Sequence, residues 1–98
     1  MTGTQILWRR WAPEILLALA AGPKRFNKLM DLSRADVDWL ISDRILSVRL
    51  RELEDIGLVA RDVDGGPPVR VSYALTEAGR AYLPGLTALK EVQISQAS

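Results

Sequence analysis

Arg44, Ser47, Val48 and Arg51 fall at helical spacing in the stretch RILSVRLRELEDIGLVAR, residues 44–61. On a helix of 3.6 residues per turn they occupy one side. Their chemistry suits the edges of base pairs. Arginine can donate two parallel hydrogen bonds to guanine, serine serves a base or a phosphate, and valine can touch a thymine methyl. Arg44 is expected to read a base and Arg51 to hold a phosphate. The ordinary alternative is a solvated helix face on which Arg51 pairs with Asp55 four residues on.

Leu46, Leu50 and Leu53 recur at intervals of four and three and take the opposite side. That seam must be buried for the arginines to be presented outward. Arg49 lies toward one flank. Ser42 stands where an N-cap is needed, so its hydroxyl is expected to serve the helix backbone; a phosphate at that N-terminus is the second reading. Gly57 closes the helix at a position that favours positive φ.

The remaining elements follow from period and punctuation. Trp11, Ile15, Leu16 and Leu19 mark one face of a first helix from about Ala12, with Pro13 in its first turn and a short separate segment before it. Gly22, as a left-handed cap, and Pro23 stop it. The stretch KRFNKLMDLS predicts a short second helix through Phe26, Leu29, Met30 and Leu32, followed by an acidic turn-like stretch, RADVDWLIS. After Gly57 the pattern alternates. LVARDV and VRVSYAL, separated by DGGPP, predict a two-stranded hairpin. Thr76 then caps a last helix that is interrupted or kinked at Pro84 and Gly85.

The fold expectation is therefore α+β and mostly α: a winged helix-turn-helix with a two-stranded β-wing and terminal helices. One domain spans residues 1–98, with the helix-turn-helix at about 24–57, the wing at about 58–75 and a C-terminal dimerisation helix at about 76–95.

Composition narrows the function. With no Cys, no disulfide, thiolate metal site or thiol switch can form within the sequence. With no His, the usual general base and the commonest zinc ligand are missing as well. An enzyme is not expected, no cofactor is implied, and Asp36 with Asp38 are taken as solvated carboxylates instead of a metal pair. No apolar run approaches the length of a membrane span, and the N-terminus lacks the order of a secretory signal. A cytoplasmic protein is expected.

The net charge of +1 conceals an asymmetry. Up to Arg61 there are ten basic residues against eight acids, and beyond it three against four. A basic face can be local. Lys24, Arg25, Asn27 and Lys28, placed at the start of the second helix, are candidate backbone contacts, with ordinary surface charge as the alternative. Arg70 is the basic residue near the wing tip, and its alternative is cross-strand pairing with Asp62 or Asp64. Trp8, Trp11, Trp39 and Tyr73 are expected in the core or a subunit interface, Tyr73 under the hairpin; a ligand pocket is the competing reading.

WAPEILLAL, GPKRFNKL, LISDRILSVRLRELEDIGLVAR and PPVRVSYALTEAGRAYLPGL, in this order, resemble the HxlR-type bacterial transcriptional regulators, relatives of the broader MarR group. The resemblance spans roughly residues 10–89. Its most specific parts are Ile41 to Glu54 and Pro68 to Thr76. It implies a homodimer on a pseudo-palindromic operator, with one recognition helix in each of two successive major grooves about 34 Å apart. It further implies dimer contacts from Trp8, Trp11, Leu83, Leu86, Leu89 and Val92. Many family members carry a sensing cysteine near the N-terminus, which this sequence lacks. The connection from Phe26 to Ile41 is also about four residues longer than the family's.

Double-stranded DNA and a second copy are thus the expected partners, with room for an unidentified small-molecule effector, and a repressor is the expected role. The alternative is a winged-helix protein-interaction module without DNA-binding activity, which the acids Asp43, Glu52, Glu54 and Asp55 on or beside the arginine face would suit.

Overall fold

The computed structural model describes residues 10–35 and 40–88. Helix α1 (Ala12–Leu19) carries Pro13 in its first turn, where the missing N–H costs no hydrogen bond. Trp11 precedes it at φ 75°, and the Trp11 carbonyl accepts from the Ile15 amide at 3.1 Å. Ala12, Ile15, Leu16 and Leu19 are buried. The helix is capped at Ala20, and Gly22, two residues further on, has φ 138°.

Lys24 and Arg25 do not begin the second helix, as their place in KRFNKLMDLS suggested. They form a short strand, β1 (Lys24–Arg25), and helix α2 (Phe26–Ala35) starts after them. Pro23 ends one helix without a donor for another turn, and the edge of a distant strand satisfies the extended pair. Leu29, Met30 and Ser33 face inward, and the buried Ser33 hydroxyl donates to the Met30 carbonyl at 2.9 Å.

Helix α3 (Asp43–Asp55) is bounded as its sequence predicts. Ser42 is extended, and its hydroxyl oxygen accepts from the Ile45 amide at 3.2 Å. At the far end Gly57, at φ 81°, donates to the Glu54 carbonyl, and Leu58 donates to Leu53, both at 2.9 Å. This pair of bonds satisfies the last carbonyls of the helix and turns the chain sharply into the sheet.

β2 (Val59–Asp64) and β3 (Arg70–Leu75) pair antiparallel from Val59 opposite Leu75 to Asp64 opposite Arg70. The expected two-stranded wing gains a third strand, because β1 pairs along the other edge of β3 and the order is β1-β3-β2. Direct antiparallel partners share a face. Lys24, Tyr73 and Arg61 therefore form one row across the sheet, and Arg25, Ser72 and Asp62 form the next row on the opposite face.

Helix α4 (Glu77–Ala81) is capped by Thr76, whose hydroxyl oxygen accepts from the Gly79 amide at 3.0 Å. The same hydroxyl donates to the Gly57 carbonyl at 2.6 Å, tying the end of α3 to the start of α4. The interruption falls at Tyr82 instead of at Pro84 and Gly85, and residues 83–88 are helical again. In an unbroken helix Pro84 would face the Arg80 carbonyl with no N–H to give it and a ring too close to it, so the break comes before the proline.

The core joins α1, α2 and α3 to the base of the sheet through Leu16, Leu19, Leu29, Leu46, Leu50, Leu53, Leu58, Val59 and Leu75. Leu86 belongs to it too, at 1% exposure. That corrects its expected place in a subunit contact. Helical spacing signals a buried side chain but not what buries it, and here the chain's own core does so. Leu83 and Trp11 are partly buried against the same core. Trp8, Leu89 and Val92 lie outside the described residues, as do Asp36, Asp38 and Trp39.

Candidate nucleic-acid interface

The leucine seam decides how α3 is displayed. Leu46, Leu50 and Leu53 are at most 1% exposed, whereas Arg44, Ser47, Val48 and Arg51 are all exposed on the other side. Val48 keeps 41% of its surface in solvent, which leaves its methyl groups available for apolar contact with a base. Burying three leucines contributes roughly 5–8 kcal/mol of transfer free energy. A face held this firmly can be offered to a ligand without first ordering the helix.

Arg49 does not belong to that face. Its Nε donates to the Arg10 carbonyl at 2.9 Å, and its guanidinium meets Glu52 Oε1 at 2.6 Å. The side chain is only 15% exposed. The flank position leads back to the segment before α1, so this arginine fastens α3 to the chain that precedes α1. Arg10 in turn stacks over the Trp11 ring at 4.4 Å.

Other candidates surround α3. Ser42, at its N-terminus, is exposed and acts as the cap. Arg25, at the end of β1, and Asn27 and Lys28, in the first turn of α2, are exposed. Lys24 is half-buried, and its Nζ donates to the Gly22 carbonyl at 3.3 Å, so it is less available than its neighbours. Arg70 is exposed at the first position of β3, with Asp64 opposite it. Arg25, Asn27 and Arg70 share an open cleft of about 400 Å³ with Phe26, Pro68 and Val69, so α2 and the wing tip meet in one place.

Sequence reasoning passed over a second groove. Ser47, Arg51, Glu54 and Asp55 of α3 face Arg61 and Tyr73 of the sheet across an open space of about 400 Å³. The alternation of LVARDV carried the signal for Arg61, since it places Arg61 on the same face as buried Val59 and so toward the helix.

An exposed arginine-bearing helix, a capped N-terminus and an adjoining β-ribbon form a winged helix-turn-helix. The HxlR-like helix-turn-helix family model matches residues 6–97. The chain belongs to the HxlR-like family. Among its relatives, the HTH-type transcriptional regulator YvaP of Bacillus subtilis (strain 168) is 43% identical over 79 residues, covering 81% of this chain and 68% of that protein. YodB, an HTH-type transcriptional regulator of the same organism, is 40% identical over 76 residues, 78% of this chain and 63% of its own length. The chain thus spans about two thirds of the length of these relatives.

Solved structures agree. The reduced form of the redox regulator HypR superposes with a TM-score of 0.83 at 32% identity, covering 96% of this chain and 88% of that one. The reduced form of YodB from B. subtilis gives 0.77 at 34% identity, with 90% and 81% covered. A transcriptional regulator of the MarR family from Enterococcus faecalis V583 gives 0.77 at 34%, with 95% and 80% covered. This HxlR-like chain is a DNA-binding transcription regulator by family and not an enzyme.

Proposed function

We propose that this HxlR-like protein binds a specific DNA sequence through the outward face of α3. The observation that carries the reading is the exposed row Arg44, Ser47, Val48 and Arg51 on a helix whose leucines are buried. Arg44, in the first turn, sits where a recognition helix first meets base edges and serves as the base-reader. Arg51, two turns on, serves a phosphate. Ser47 and Val48 lie between them. Arg25, Asn27, Lys28 and Arg70 supply backbone contacts on either side, and Lys24 adds charge from its partly buried position. The Ser42 cap fixes the N-terminus of α3, whose dipole favours a nearby anion.

The full assembly is a homodimer in the cytoplasm. Two recognition helices enter successive major grooves of a pseudo-palindromic operator, centred about 34 Å apart. Trp8, Trp11, Leu83, Leu89 and Val92 contribute the subunit contact, with Leu86 supporting it from the core beneath. Occupancy of the operator obstructs transcription, which makes the protein a repressor. An effector, if one acts, enters near that subunit contact.

The salt dependence of binding to DNA from upstream of its own gene tests the reading. Each phosphate neutralised by a Lys or Arg lowers the log–log slope by about 0.9. Contacts from Arg25, Lys28, Arg51 and Arg70 in each subunit predict a slope of roughly −7 for the dimer, a loss of about four orders of magnitude between ~50 and ~200 mM salt. A slope near zero rejects DNA binding through this face.

A further inference from the structure

The two arms expected to reach DNA are separated by the groove between α3 and the sheet. A helix in the major groove and a ribbon reaching the neighbouring minor groove must straddle one sugar-phosphate strand, because one strand divides adjacent grooves. Resting on the DNA reading above, we propose that this strand lies along the groove, and that Arg61 and Tyr73 of the sheet hold its phosphates together with Arg51 and Ser47 of α3.

The residue types fit a phosphodiester. Two guanidinium groups and two hydroxyls converge from two elements on one open space of about 400 Å³. Arg61 is exposed and stands opposite Tyr73 in the strand register. The tyrosine ring is partly buried against the core, which fixes the residue from beneath. Lys24 extends the same row on β1. Glu54 and Asp55 also line the groove. They stand three and four residues beyond Arg51, toward the C-terminal end of α3, where the same-sign charge turns the phosphate chain back toward Ser47. A guanidinium has five donors, so either arginine can serve a carboxylate and still present an edge to phosphate.

The test compares wild type with Arg61→Gln on two duplexes about 30 base pairs long, one carrying the upstream DNA and one of scrambled sequence. The expected result is a loss of roughly five- to tenfold at about 0.1 M salt on both duplexes alike, with the slope shallower by about 0.9 per subunit. Arg61→Lys, which keeps the charge, should restore most of the slope. Replacing single phosphates by neutral methylphosphonates should reveal a position that weakens wild type but leaves Arg61→Gln unchanged. Tyr73→Phe retains the ring and should cost about two- to threefold; no loss removes its hydroxyl from the clamp.

If Arg61 only pairs with Glu54 or Asp55, Arg61→Gln lowers the melting temperature while affinity and slope stay at wild-type values, and the clamp is rejected with DNA binding intact. A wild-type slope near zero rejects both. Asp55→Asn provides the opposite sign: lifting the repulsion should strengthen binding about two- to threefold on either duplex, and a weakening contradicts the proposed path of the strand.

Discussion

Gly79→Ala should destabilise the protein by about 3 kcal/mol, even though alanine is the better helix former. A Cβ at position 79 would overlap the Leu58 carbonyl oxygen and stand 3.3 Å from Leu75 Cδ2. The obstacle is backbone and has no rotamer to relieve it. That carbonyl already accepts the Thr76 amide at 3.1 Å, while the Thr76 hydroxyl holds Gly57 and caps α4. To admit a methyl group, α4 must lift off the turn that ends α3 and surrender these bonds together. Helix propensity returns only about 1 kcal/mol. In a chain of this size the net loss corresponds to a fall of roughly 10–20 °C in melting temperature. Gly85, with nothing within 4 Å of its Cβ position, is the control. Gly85→Ala should be neutral or raise the melting temperature slightly, and equal losses at both sites would contradict the geometry.

Leu50→Ala should cost about as much, roughly 3 kcal/mol, through a cavity under the centre of α3. Leu50 is 1% exposed between Leu46 and Leu53, in the row that holds the helix against α1 and the base of the sheet. Val48, two residues away on the other side, should change stability by no more than about 0.5 kcal/mol when cut to alanine. The two substitutions separate support from display. Chemical denaturation should show a lower midpoint for Leu50→Ala with an unchanged slope, while Val48→Ala stays at the wild-type midpoint. Their order on DNA should reverse at temperatures where both remain folded, with Val48→Ala the more damaging.

How much of this could be read from residues alone varies with the range of the forces involved. The leucine spacing of α3, the Ser42 and Thr76 caps and the Gly57 turn are local, and each stands where its residue type predicts. The strand at Lys24 and Arg25 is not local. Two residues carry no period, and their pairing is supplied by β3, nearly fifty positions away in the chain. Leu86 has the spacing of a buried residue, which cannot distinguish a neighbour in its own chain from one in another copy. Arg49 follows Arg44 by five residues, well round the helix from the exposed row, so its departure from that face was legible; that the Arg10 carbonyl and Glu52 would meet it was not. At Pro84 the proline's effect was legible but its position was not, since the chain breaks two residues early to spare the Arg80 carbonyl. In the candidate interface, the face of α3 was visible in the sequence. The groove beside it depends on where a hairpin folds back, and that required the structure.

The central claim is that the outward face of α3 reads base sequence. Binding of wild type and Arg44→Ala to a series of duplexes, each altered at one base pair of the preferred site, tests it most directly. The expected outcome is that wild type loses about 1–3 kcal/mol at one guanine-containing pair in each half-site, and that Arg44→Ala no longer distinguishes that pair while keeping its other preferences. If Arg44→Ala weakens every duplex by the same factor and leaves the pattern of preferences intact, Arg44 contacts only the backbone and the face does not read sequence as described.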